Sequence, residues 1–212
     1  MEQTFLTIIE VLGTIAFAIS GIRLAAAKRF DWFGAYVVGL VTAIGGGTLR
    51  DVLLDIPVFW MLSPMYLAVT GISLLTVIVF RRALVGGFRT LFIFDAIGLA
   101  LFVVVGIEKT LVAGFPMWVA VVMGIITGSF GGVVRDILLN EEPLFFRKDI
   151  YATACLAGGV VYWLLWLLPL PAWVPQTVCA GTVIGLRVAA VAYGWSLPIL
   201  KVETDDLPRL PK

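Results

Sequence analysis

Histidine is absent from this chain, and its two cysteines, Cys155 and Cys179, lie apart in apolar stretches. Neither a histidine-based metal site nor a disulfide framework is available, and buried thiols in such settings behave as small hydrophobes. Charge is also scarce. Only 14% of the 212 residues are charged, the formal net charge is +1, and no long basic run occurs, so the electrostatic footprint for nucleic acid is missing. No cofactor and no bound metal centre are expected, and no enzymatic activity.

What the chain has instead is apolar length. It is 61% hydrophobic with a mean hydropathy of +1.06, which sets it apart from an ordinary soluble domain. Its apolar runs approach the roughly 20 residues that cross a bilayer as helix and do not alternate as barrel strands would. The expected fold class is all-α, a polytopic membrane protein.

Taken in order, spans are expected at about 5–27, 33–54, 63–80, 89–107, 116–139, 149–168 and 174–196. The second is ended by Pro57; Ser63 and Pro64 open the third, and Asp149 is the expected cap of the sixth. Residues 1–196 form the membrane domain and 197–212 a polar, proline-containing tail. The first span has Glu2 before it and Arg23, Lys28 and Arg29 after it, the reverse of a signal peptide, so it is expected to be a retained helix.

With seven spans, one side receives Arg23, Lys28, Arg29, Arg81, Arg82, Arg89, Arg147, Lys148, Lys201, Arg209 and Lys212, and the other only Lys109. Cytoplasmic loops carry the basic excess. The amino terminus is therefore expected outside and the carboxyl terminus in the cytoplasm of a bacterial inner membrane.

An internal repeat runs at an offset of 85 residues. It pairs Glu10 with Asp95, Gly13 with Gly98, Phe17 with Phe102, Gly21 with Gly106, Thr42 with Thr127, Gly46 with Gly131, Gly47 with Gly132, Arg50 with Arg135, Asp51 with Asp136 and Tyr66 with Tyr151. Repeat one covers about 5–80 and repeat two about 89–168. Three spans per copy is an odd number, so the copies should enter the membrane from opposite sides, the arrangement that places permeation sites near the midplane. A duplicated scaffold without a pathway is the competing reading.

Glycines and charges concentrate in VTAIGGGTLRDVLLD at 41–55 and ITGSFGGVVRDILLN at 126–140. Gly39, Ala43 and Gly47, like Gly124, Gly128 and Gly132, recur every four positions as a small-residue packing face. That face does not account for Gly45, Gly46 or Gly131, which are expected to loosen the helix and free carbonyls toward an ion. Candidate ion-lining residues are Gly45, Gly46, Gly47, Gly131, Gly132, Thr42 and Thr127. Arg50 and Arg135 cannot face lipid and need acids. Glu10 is expected near Arg50 and Asp95 near Arg135, with Asp51 and Asp136 as further partners; a buried lock between helices is the alternative to a gate. Arg187, without a counterpart, is expected to snorkel toward the cytoplasm.

The doubled GGGTLRD at 45–51 and FGGVVRD at 130–136, in a seven-span chain with a three-plus-three repeat, resembles the prokaryotic branch of the trimeric intracellular cation channel family, also described as glycine-transporter-like. The resemblance covers roughly residues 5–196. It implies a homotrimer in membrane lipid with one pore per protomer, passing K+ and Na+, and kinks at these glycines in the second and fifth helices. Phe130 stands where the first copy has Gly45, so the pore halves should differ, and the Lys-Glu-Val motif of animal members is not present. The function expected is a monovalent cation channel gated at glycine-interrupted helices two and five. A secondary transporter of glycine or another small zwitterion is the alternative, and a purely structural membrane protein a third.

The charge bias predicts where the carboxyl terminus lies. A fluorescent reporter fused after Lys212 should be bright and an alkaline phosphatase fusion there inactive; the opposite pattern would reverse the orientation.

Overall fold

The computed structural model describes residues 2–85 and 88–198, so most of the expected tail lies outside the described residues. The described chain is helical, with one isolated bridge, Asp149 to Ser196, as its only β feature. The helices are α1 (Glu2–Ala27), α2 (Trp32–Leu53), α3 (Met65–Val79), α4 (Arg81–Val85), α5 (Phe88–Val112), α6 (Met117–Leu138), α7 (Ala152–Trp166) and α8 (Trp173–Tyr193), with a 3-10 turn at Phe59–Met61.

Five of these, α1, α2, α5, α6 and α8, are long and apolar enough to cross a membrane. α3 and α7 have 15 residues each, about 22 Å at the helical rise, against a hydrocarbon core of about 30 Å. Local chemistry sets several ends. The Asp31 side chain accepts from the Gly34 amide at 2.6 Å to start α2. Ser63 Oγ accepts from the Met65 amide at 3.3 Å, but Pro64, not the expected serine, holds the cap position of α3, without a side-chain cap bond. Asp149 does not cap α7; Tyr151 holds that position without a side-chain bond.

Expectation and structure part at the end of α5. Glu108, Lys109 and Thr110 read as an exit from the membrane, yet the helix continues through them to Val112 because buried partners take up their polar groups.

α1, α2, α5 and α6 form the central group, with α3 packed on α1 and α2, α7 on α5 and α6, and α8 on α7 and α5. Within the centre, contacts are reciprocal. A methyl on Gly13 would meet the Phe102 ring and one on Gly98 the Phe17 ring, and those two rings stack at 5.3 Å and 19°. Likewise, a methyl on Gly46 would fall on the Thr127 carbonyl oxygen and one on Gly131 on the Thr42 carbonyl oxygen. Each contact recurs with both residues replaced by their mates 85 positions away, and within each helix pair a later residue on one meets an earlier residue on the other. α1 and α5 therefore run antiparallel, as do α2 and α6.

These crossings correct one expectation. α2 and α6 are unbroken helices across Gly45–Gly47 and Gly131–Gly132, so the glycines do not interrupt them. The missing side chains let two backbones touch, and loosening is not required. Gly47 is held against the Phe59 ring and Gly132 against the Tyr151 hydroxyl, while Gly45 has only the Gly131 Cα, 3.6 Å from where its methyl would be.

The steric difference makes a test. Gly46→Ala and Gly131→Ala should each destabilise the protein by about 1–3 kcal/mol as α2 and α6 are forced apart, whereas Gly45→Ala should be tolerated. Thermal unfolding in detergent that ranks Gly45→Ala with the other two would contradict this packing.

Candidate functional site

Two polar clusters lie inside this helical core, and both start from an adjacent arginine and aspartate in the last turns of α2 and α6. Arg50 Nε donates to Asp51 Oδ1 at 2.8 Å, and Arg135 Nε donates to Asp136 Oδ1 at 2.8 Å. The second oxygen of each aspartate accepts a backbone amide eight residues on: Phe59 N at 2.9 Å on Asp51, Leu144 N at 3.2 Å on Asp136. All four side chains are buried. One carboxylate thus neutralises its arginine and ties the following loop under the helix end. A bare charge at such depth would cost several kcal/mol.

Around this shared frame the two clusters differ. Arg135 Nη1 reaches Asp95 Oδ1 at 2.6 Å, the expected pairing, and also Ser20 Oγ at 2.7 Å. Arg50 does not pair with Glu10. Glu10 instead accepts from Lys109 Nζ at 2.5 Å and the Tyr66 hydroxyl at 3.0 Å, and Arg50 Nη1 has no hydrogen-bond partner among the described residues. The serine that completes the Arg135 shell is replaced at the equivalent position by Val105, which has no acceptor to offer. Both cations of the first cluster lie over the Phe59 ring, Arg50 at 5.7 Å and Lys109 at 5.1 Å from its centre.

Arg187 corrects another expectation, because it is 3% exposed and does not snorkel. From α8 it sits 3.6 Å from Asp95 Oδ2, donates to the Ile150 carbonyl at 3.2 Å and packs against the rings of Phe92 and Tyr151. Thr42 and Thr127 are buried with their hydroxyls donating to the carbonyls of Val38 and Met123, each at 2.6 Å, so neither offers a free oxygen to an ion in this conformation. Sequence reasoning missed Glu108, whose Oε1 accepts from Tyr162 and Gln176, both at 2.6 Å. The available signal was a glutamate beside the lone basic residue of its side.

A cavity of about 520 Å³ opens beside the second cluster. Asp95, Arg135, Asp136 and Arg187 form its charged floor, with Phe92 and Leu91 among its apolar walls. Glu141 and Arg147 lie toward its rim, where Lys28 Nζ meets Glu141 at 2.5 Å; the Lys28 ammonium, by hydrogen bond and charge, holds that carboxyl below the usual range. The arrangement sets buried acids, each paired with an arginine, at the wall of a space large enough for many waters.

A family profile described as "Glycine transporter" matches this chain twice, at residues 7–82 and 92–167, and the second match begins 85 residues after the first. The chain is 40% identical over 203 residues to the Escherichia coli K12 UPF0126 inner membrane protein YadS, covering 93% of this chain and 96% of that protein. The TRIC trimeric intracellular cation channel orthologue from Rhodobacter sphaeroides overlays with a TM-score of 0.86 at 32% identity, over 91% of this chain and all of the other. A further structure of a TRIC cation channel gives 0.83 at 34% identity, over 93% and 98%.

The doubled frame sets a stability prediction. Asp51→Asn should cost about 3–5 kcal/mol by leaving buried Arg50 without its carboxylate, Asp136→Asn should cost less because Asp95 still pairs with Arg135, and Asp55→Asn, exposed one turn later, should be near neutral. Melting temperatures of the three variants in detergent decide it.

Proposed function

The chain belongs to the family described as glycine transporters, that of the prokaryotic TRIC channels, and from that premise we propose that it is a cation channel of the bacterial inner membrane. The observation that carries the reading is the overlay on the Rhodobacter sphaeroides cation channel orthologue across nine-tenths of the chain at 32% identity.

In this reading α1, α2, α3, α5, α6, α7 and α8 all cross the bilayer, and the reciprocal contacts are those of an inverted repeat with α8 outside it. The membrane domain is 1–196, followed by a cytoplasmic tail. Three protomers assemble, each with its own route for K+ and Na+. The route runs from the 520 Å³ cavity past Asp95 and Arg135, across the α2 and α6 crossing, to Glu10 and Lys109 at the other end. Thr42, Thr127 and the glycines at 45–47 and 131–132 surround the crossing. Because Gly46 and Gly131 bring two backbones into contact, conduction requires α2 and α6 to separate there.

Buried acids at both ends favour cations over anions, and their own basic partners keep the resting clusters close to neutral. The transporter alternative would need a bound zwitterion to drive the separation; the channel needs only ions.

Purified protein in a planar bilayer should give single-channel steps in potassium solution without any amino acid, with a reversal potential that follows potassium over chloride. Glycine uptake into proteoliposomes in the absence of such steps would replace the channel with the transporter.

A further inference from the structure

Arg187 has no counterpart in the repeat, since α8 lies outside both copies, yet its guanidinium reaches the floor of the cavity. There it faces an acid that is only half used. Asp95 Oδ1 is committed to Arg135 at 2.6 Å, but Asp95 Oδ2 has no hydrogen-bond partner among the described residues, and neither has Arg187 Nε. The 3.6 Å between Arg187 Nη2 and Asp95 Oδ2 is close enough to neutralise the carboxylate and too long to hold it by a hydrogen bond.

Other groups keep the guanidinium in place. The Ile150 carbonyl accepts from Nη1 at 3.2 Å, and the ring centres of Phe92 and Tyr151 lie 5.1 and 4.8 Å from Cζ. A carboxylate oxygen, a carbonyl oxygen and two aromatic faces are the surroundings that a weakly hydrated cation selects. Charge balance points the same way. With Arg187 present, Arg135 and Arg187 balance Asp95 and Asp136; without it, Arg135 alone stands against the two carboxylates it touches.

We propose that Asp95 Oδ2, the Ile150 carbonyl and the rings of Phe92 and Tyr151 form a monovalent cation site, and that the Arg187 guanidinium is its tethered occupant, closing the route while it is seated. The inference rests on the channel reading above. A permeating cation reaches Asp95 when movement of α8 withdraws the arginine, so an element outside the repeat controls entry at one end of the pathway.

The test uses the full chain in a planar bilayer with potassium on both sides. Arg187→Gln keeps a donor for the Ile150 carbonyl and loses the charge; its open probability should rise by roughly fivefold or more. Guanidinium ion added on the cavity side should close the variant and leave the parent protein unaffected. A folded Arg187→Gln variant with parental current and no guanidinium response overturns the proposal. Should that variant not fold, Asp95→Asn with Arg187→Gln leaves no stranded carboxylate, and an open probability no higher than the parent's overturns it equally. A parent protein that conducts while the variants match it refutes only the tethered cation, whereas a parent without potassium steps removes the channel reading and this proposal together.

Discussion

The aspartate that follows Arg50, and its mate that follows Arg135, make the interaction on which the rest depends. Hydrocarbon offers no water to stabilise a guanidinium, so Arg50 relies on Asp51 beside it, and Arg135 on Asp136 together with Asp95. The same carboxylates accept the amides of Phe59 and Leu144, fixing how the chain turns after α2 and α6. Neutralisation and loop geometry are therefore one constraint. It acts twice, and the next helix after each loop, α3 or α7, is placed by it.

A second constraint is steric. Backbone contact between α2 and α6 at Gly46 and Gly131 leaves no room for a methyl on either side, and the Phe17 and Phe102 rings fill the spaces beside Gly98 and Gly13. Because every such contact has a mate 85 residues away, the two halves meet around a common approximate axis. Dispersion and close packing hold this interface, since apolar helices gain little from leaving lipid for one another. An interface held by shape has few intermediate positions, which suits it to two discrete arrangements.

Much of this was legible in the letters. The long apolar runs specify helices, and the repeat pairs glycine with glycine and Arg-Asp with Arg-Asp at one fixed offset, so the doubled frame and the Asp95 to Arg135 pair could be read directly. The partner of Glu10 could not. Choosing Lys109 over Arg50 depends on how α1 and α5 are rotated against each other, which no one-dimensional pattern records. The continuation of α5 past Ile107 was hidden for the same reason: Glu108 and Lys109 resemble a membrane exit until Tyr162, Gln176 and Glu10 are known to be waiting for them. The glycines misled in another way. Paired glycines weaken an isolated helix, but a backbone pressed against a second backbone keeps its own ladder intact, and the offset between Thr42, Gly46, Thr127 and Gly131 held the clue.

The two constraints have kept their symmetry unequally. A methyl group at the crossing has nowhere to go, so the glycines match between copies, whereas a charge needs only some opposite partner within a few ångströms and can exchange one for another. Around the shared frame the partners have diverged: Ser20 bonds Arg135, whereas its mate in the second copy is Val105, Tyr66 bonds Glu10 while the Tyr151 hydroxyl has no partner among the described residues, and Lys109 stands where the first copy has Leu24. Motion at the crossing must be felt by both halves at once, because one contact cannot open without its mate. The electrostatic response to that motion differs at each end, a lysine leaving a glutamate at one and an arginine leaving an aspartate at the other. In the channel proposed above, mechanical symmetry with chemical asymmetry means that a single helix movement exposes two cation sites of unequal strength, because Glu10 is released by a lysine and Asp95 by an arginine.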